Sequence, residues 1–269
     1  MSSNIGRASD RPRPSRALVV AAHGRRFASA AALLAFAVGC ASPAEHGKHS
    51  HPGPHNHHGH HRFKDPEKWA ERFENPSRME WQKPSAVLEL LQLRPEMHVA
   101  NIGSATGYFS VRIAREVPKG RVWGIDIEPT MVQYLNDRAR EEGIDNLFSV
   151  LGTPSSPLLP EPVDLILLVD TYHHIRDRSE YFGALRDRLK ADGRLVIIDF
   201  KPGDLPVGPP DTMKLSPAEV ETELEAAGYA LTHEEQERLP YQYVLVFEAE
   251  SSASPEKSAT AADTQLEPQ

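Results

Sequence analysis

The stretch "VANIGSATGYFS", Val99 to Ser110, decides how this 269-residue chain is read. An apolar run meets a turn spaced by glycines, and a helix-like segment follows. Gly103 and Gly107 allow backbone N–H groups to come close to a ligand, and the helix start adds donors. Working outward, "MHVANI" reads as a strand, Gly107 to Glu116 as a helix and "RVWGID" as a second strand. "EPTMVQYLNDRAREEG" places Met131, Val132, Leu135 and Ala139 on one stripe, with Gly143 as its stop. "NLFSVL" is a further strand, and "VDLILLV" has the unbroken apolar character of a strand buried on both faces.

The alternation continues. "RSEYFGALRDRLKADG" predicts a helix reaching Gly193 with Tyr181, Phe182, Leu185 and Leu189 inward, and "RLVIIDF" a buried strand. Ser216 and Glu219 form a capping box for a helix that closes at Gly228. "YALTHEEQERL" and "YQYVLVFEA" are two strands joined at Pro240 with no helix between them. Upstream, Asp65-Pro66 caps a helix over "EKWAERFE", and "KPSAVLELLQL" is a second one showing Val87, Leu88 and Leu91 on one face. This pattern predicts an α/β fold with a doubly wound, mostly parallel seven-stranded sheet and an antiparallel last strand.

In such sheets a ligand sits beyond the carboxyl ends of the strands, where strand order reverses. A dinucleotide loop, G-x-G-x-x-G, read from Gly103 meets Ala105 and Tyr108 and fails twice. The register that fits is acid-x-G-x-G-x-G. With it, Trp69 to Glu248 resembles the class I S-adenosylmethionine-dependent methyltransferases. The resemblance is carried by "GYFS" after the loop, "GID", "LLVDTYHHI", "GRLVIIDF", and "WQKP" and "PVGPP" on either side. It implies a Rossmann-like methyltransferase fold, S-adenosyl-L-methionine as cofactor and a small-molecule methyl acceptor.

By that resemblance Asn101, Gly103, Ser104, Gly107, Asp126, Ile127 and Asp170 hold the cofactor. Asp126 ends the second strand, where an acid accepts ribose hydroxyls; a helix N-cap is its alternative role. Ile127 lies against adenine, and Thr153 stands in the region where the family often offers an Asp. Two positions depart from the pattern. Asn101 replaces an acid, which removes a charge-assisted bond worth about 1–2 kcal/mol. Ala105 replaces a glycine, which is harmless at negative φ and costly at positive φ.

Methyl transfer from a sulfonium relies on proximity, with a base only where the acceptor must lose a proton. His173 and His174 are the candidate catalytic residues, with a packing residue and a helix cap as the alternative. Trp81, Tyr108, Tyr172 and the loop Pro206 to Pro210 are candidates to cover the acceptor. Lys201 is placed to meet an anionic substrate or solvent.

The ends of the chain differ from its middle. Arg25 and Arg26 precede the apolar run Phe27 to Val38, too short to span a bilayer and suited to an export signal. Cys40, the single cysteine, resembles a bacterial lipoprotein's lipidation site, although Ala37 stands where that signal usually has Leu. Residues 1–40 therefore read as a signal, 41–64 as a flexible linker, 65–250 as the folded domain and 251–269 as a polar tail. The expected location is the bacterial cell envelope, either lipid-anchored, with Cys40 the only membrane attachment, or periplasmic, and the cytoplasm if the signal is not real. The linker carries His46, His49, His51, His55, His57, His58, His60 and His61, a composition for weak binding of divalent metal rather than a firm site. The net charge is −8, and residues 1–40 hold six Arg and one Asp, so the remainder is more acidic still. That charge argues against a nucleic-acid partner. Two functions compete: a small-molecule methyltransferase, and a non-enzymatic envelope lipoprotein that keeps the fold and uses its His-rich arm for metal.

Overall fold

The computed structural model describes residues 65–250. Cys40, the apolar run, the His-rich segment and the polar tail lie outside the described residues. Seven strands form one sheet: β1 His98–Ile102, β2 Arg121–Asp126, β3 Leu147–Leu151, β4 Val163–Val169, β5 Leu189–Phe200, β6 Tyr229–Glu235 and β7 Gln242–Ala249. Their order is β3-β2-β1-β4-β5-β7-β6. β1 pairs in parallel with β2 and β4, and β4 with β5, while β7 runs antiparallel to both β5 and β6. The last strand is thus reversed, as its helix-free link to β6 requires.

Among the described residues, seven α-helices flank or precede the sheet: α1 Pro66–Phe73, α2 Pro76–Gln82, α3 Pro84–Leu91, α4 Ser110–Glu116, α5 Pro129–Glu141, α6 Arg178–Arg186 and α7 Pro217–Ala226. β4 shows why both faces need covering. Leu165, Leu167 and Val169 point into one apolar cluster, and Val163, Ile166 and Leu168 into the other. On α5, Met131, Leu135 and Ala139 are buried. Its end is closed by Gly143 at φ +66, with Ile144 N–H bonded to the Ala139 carbonyl and Gly143 N–H to that of Arg140. The Ser216–Glu219 capping box forms as expected.

Several elements differ from the sequence reading, among them β6, which stops at Glu235 rather than Leu239. α6 stops at Arg186 rather than running to Gly193, because Leu189 already pairs with Val163 and enters β5. Strand pairing wins over a helical pattern there. α4 starts at Ser110, since Gly107 at φ +90 lies outside any helix. α2 is an extra helix, begun by Asn75-Pro76 and stopped at Lys83 with φ +43. The Asn75 side chain caps it as Asp65 caps α1, so the same signal was present in the sequence.

Among the described residues, no helix is long and apolar enough to cross a membrane, and no cluster of three metal-binding side chains occurs.

Candidate cofactor cavity

Strand order reverses between β1 and β4, so the crevice opens where these two strands end. Ile102 lies in register with Leu168, which brings Gly103 beside Thr171 across the gap. A Cβ on Gly103 would sit 2.3 Å from Thr171 Oγ1, and Gly103 takes φ +73. Only glycine fits there.

The loop closes on β2. Gly103 N–H and Ser104 N–H both donate to the Ile125 carbonyl, at 2.8 and 3.0 Å. Ala105 N–H donates to Asp126 Oδ2 at 2.8 Å, and Glu128 N–H to Asp126 Oδ1 at 3.0 Å. Burial pushes the Asp126 carboxyl upward from its ordinary pKa, and these backbone donors pull it back down. With the Ile127 N–H also directed at it, the carboxylate keeps acceptor capacity for about one more donor.

A cavity of about 310 Å³ opens here, with Gly103, Asp126, Ile127, Thr153, Thr171 and His174 among its lining. That volume is at the lower end of small-ligand sites. Ile127 is 49% exposed, an apolar face beside an acid. Ile102, Ile125, Pro154 and Pro157 add further apolar wall. Acid, apolar platform and glycine turn together fit a ribose bearing a flat base. Thr153 spends its hydroxyl locally, donating to the Ser156 carbonyl at 3.0 Å.

Ala105 takes φ +46, the costly case. A left-handed L-residue loses about 1–2 kcal/mol, and glycine returns part of that as chain entropy. Ala105→Gly is therefore expected to stabilise the fold by about 0.5–1 kcal/mol, seen as a raised midpoint in urea unfolding. A lowered midpoint would show that the loop is not strained.

Other expected cofactor residues support the cavity from behind. Asn101 is buried, and its amide donates to Ser110 Oγ at 2.9 Å, tying the end of β1 to the start of α4. Ser104 packs over Gly124, with its hydroxyl buried and unpartnered. Gly107 is required by packing as well as by φ, because a Cβ would lie 2.2 Å from Leu135 Cδ1. None of the three lines the cavity.

The expected acceptor-side residues divide. Tyr172 does not cover a pocket: it is fully buried against Phe182, and its hydroxyl donates to Glu223 at 2.7 Å. Trp81 and Tyr108 instead flank Arg78, which with Asp170 and Gln242 forms a second group of side chains at α2. Arg78 on α2 lies 4.1 Å from the Tyr108 ring centre and 3.7 Å from Asp170 Oδ2. Gln82 donates to Gln242 at 2.7 Å, and Gln242 in turn donates to Asp170 Oδ1. Trp81 packs on Phe200, which Gly208 of the "PVGPP" loop also approaches closely. Lys201 meets neither substrate nor solvent alone, since its ammonium is bonded to the carbonyls of Gln236, Leu239 and Pro240.

His173 and His174 have different surroundings, with ring centres 4.2 Å apart. His174 lines the cavity. The His173 side chain is 3% exposed and its Nδ1 is held by Asp199 at 2.8 Å. A carboxylate only accepts, so Nδ1 carries the proton and Nε2 keeps the lone pair in the neutral ring. Asp199, Arg78, Gln82, Thr171 and Gln242 were missed in the sequence. "IIDF" placed Asp199 on a buried strand, which was a usable signal for a paired acid.

A family model for a methyltransferase domain matches residues 93–249. The chain belongs to that family. Among solved structures, a SAM-dependent methyltransferase from Aquifex aeolicus aligns at 28% identity and TM-score 0.63, covering 68% of this chain and 97% of that one. A protein-L-isoaspartate O-methyltransferase from Pyrococcus horikoshii is 30% identical over 112 residues, 41% of this chain and 48% of that protein. The C-methyltransferase UbiE of ubiquinone and menaquinone biosynthesis from Bordetella avium is 25% identical over 118 residues, 44% of this chain and 46% of that protein. The chain spans about half the length of the curated relatives it matches. These methyltransferases differ in acceptor, and the methyltransferase domain is what they share.

Proposed function

We propose that the protein is an S-adenosyl-L-methionine-dependent methyltransferase acting on a small molecule. The observation that carries this reading is Asp126, a carboxylate on the cavity wall with spare acceptor capacity, set beside Ile127 and opposite a turn that only glycine can make. Asp126 receives the ribose hydroxyls, Ile127 supports the adenine, and Gly103 with Thr171 forms the floor between them. When bound, the cofactor supplies a methyl group already activated on a sulfonium. The chain's own task is then to orient the acceptor and exclude water, which accounts for most of the rate in such displacements. The acceptor enters on the side of Asp170 and Tyr108. His174 faces the cavity, and His173 stands behind it with its tautomer held by Asp199.

Titrating the full chain with S-adenosylmethionine in a calorimeter tests the reading. Saturable one-site heat is expected below about 1 mM, the usual ceiling for enzyme substrates. No heat at that concentration would sink it.

A further inference from the structure

We infer that the partly buried Asp170 carboxylate is the recognition point for a methyl acceptor bearing a positively charged nitrogen, and that Arg78 fills that point while α2 is closed. The inference rests on the methyltransferase reading and adds the class of acceptor.

The helices over this point are weakly attached. α1 has no buried residue, and α2 has only Gln82. Their links to the rest of the domain include the Arg78–Asp170 and Gln82–Gln242 contacts, ion pairs from Glu74 to Arg112 and Arg138, and Trp81 on Phe200. A segment with so little apolar burial opens more readily than a sheet buried on both faces. Its ends are also suited to swing, at Asn75-Pro76 and at Lys83 with φ +43.

Opening α2 withdraws the permanent cation beside Asp170. That carboxylate also faces Asp199, which repels it, and His173. Burial already pushes Asp170 up to about 7 despite Arg78. Without Arg78 this partly buried carboxyl takes up a proton unless another cation replaces the guanidinium, so a cationic ligand is favoured over an anionic one, and more so as pH rises. Arg78's present seat shows what fits. Its side chain is 15% exposed, and its guanidinium lies 4.1 Å from the Tyr108 ring centre and 5.9 Å from those of Phe73 and Trp81. A carboxylate and aromatic faces around one charge form a cation site. The Tyr108 hydroxyl is buried without a partner, which leaves one polar group for a ligand to satisfy. Asp170 itself takes φ +54, a strained conformation of the kind kept at ligand sites. Its neighbour Thr171 lines the cofactor cavity, so a nitrogen held at Asp170 stands next to that cavity.

The test uses the full chain, with phenethylammonium and 3-phenylpropionate as cationic and anionic probes of similar shape. Arg78→Met keeps the aliphatic stem and removes the charge. It should bind phenethylammonium about tenfold more tightly than the wild type, and adding Asp170→Asn should cancel the gain. Absence of the gain, its survival in the double variant, or a larger gain for 3-phenylpropionate would overturn the inference. Titrating each variant with S-adenosylmethionine separates the two levels. Cofactor binding without an ammonium response removes only the acceptor class, whereas no cofactor binding in any form counts against the function itself. Should Arg78→Met fail to fold, the wild type decides. Phenethylammonium should then speed proteolysis within residues 65–83 about threefold or more as it displaces Arg78. Unchanged cleavage would overturn the inference.

Discussion

Asp126→Ala should lower affinity for S-adenosylmethionine by about 100-fold or more and cost about 2–4 kcal/mol of stability. Both effects come from one carboxylate. Its two oxygens accept the Ala105 and Glu128 N–H groups, and truncation strands both donors in a partly buried setting. Each stranded group costs about 1–3 kcal/mol. The ribose hydroxyls lose their charged acceptor in the same change, and the loop held by Ala105 N–H is released. Asp126→Asn is expected to fall between, because an amide keeps one acceptor oxygen and turns the other into a donor facing an N–H. Calorimetry gives the affinity and urea unfolding the stability. Unchanged affinity in Asp126→Ala would end the ribose role and leave Asp126 as a brace for the loop.

Gly103→Ala should abolish cofactor binding and destabilise the fold by about 2–4 kcal/mol. The residue sits at φ +73, and the added methyl would meet Thr171 Oγ1 at 2.3 Å. Thr171 cannot swing aside freely, since its hydroxyl donates to the Val169 carbonyl at 2.9 Å. The clash therefore pushes the ends of β1 and β4 apart at the point where the cavity opens. Adding Thr171→Gly should restore room but not the backbone angle, recovering part of the stability. Gly107→Ala offers a contrast. It carries a similar backbone penalty, but its methyl strikes Leu135 in the core rather than the cavity wall. Stability should fall there with a smaller loss of affinity. Equal binding by Gly103→Ala and the wild type, measured by calorimetry, would show that the turn does not shape the site.

Much of the architecture could be read from local pattern. The apolar run into Gly103, the all-apolar "VDLILLV", the stop at Gly143 and the cap at Ser216 each express a short-range rule of dihedral preference or burial period. The helix-free link between β6 and β7 carried the reversal of the last strand. Where two local rules conflicted, the reading failed. Leu185 and Leu189 share a helical stripe in the sequence, yet Leu189 pairs with Val163 and joins β5. Nothing near Leu189 announces a partner 26 residues upstream.

The site divides along the same line. The local spacing together with the resemblance to class I methyltransferases marked Gly103, Asp126, Ile127 and His174, because the turn, the strand ends and the residues that follow them are short stretches of sequence. Tertiary structure decided which polar groups meet. Gln82 reaches Gln242 across 160 positions, Arg78 reaches Asp170, and His173 reaches Asp199. It also turned Tyr172 inward to Glu223 and Asn101 toward Ser110, away from the roles their positions suggested. The physical reason is one of range. A residue's own neighbours set its backbone angle and which face of an element it occupies. The partner of a buried charge is set by the order in which strands are laid side by side, and here that order placed a helix from the start of the domain over the ends of β4 and β7.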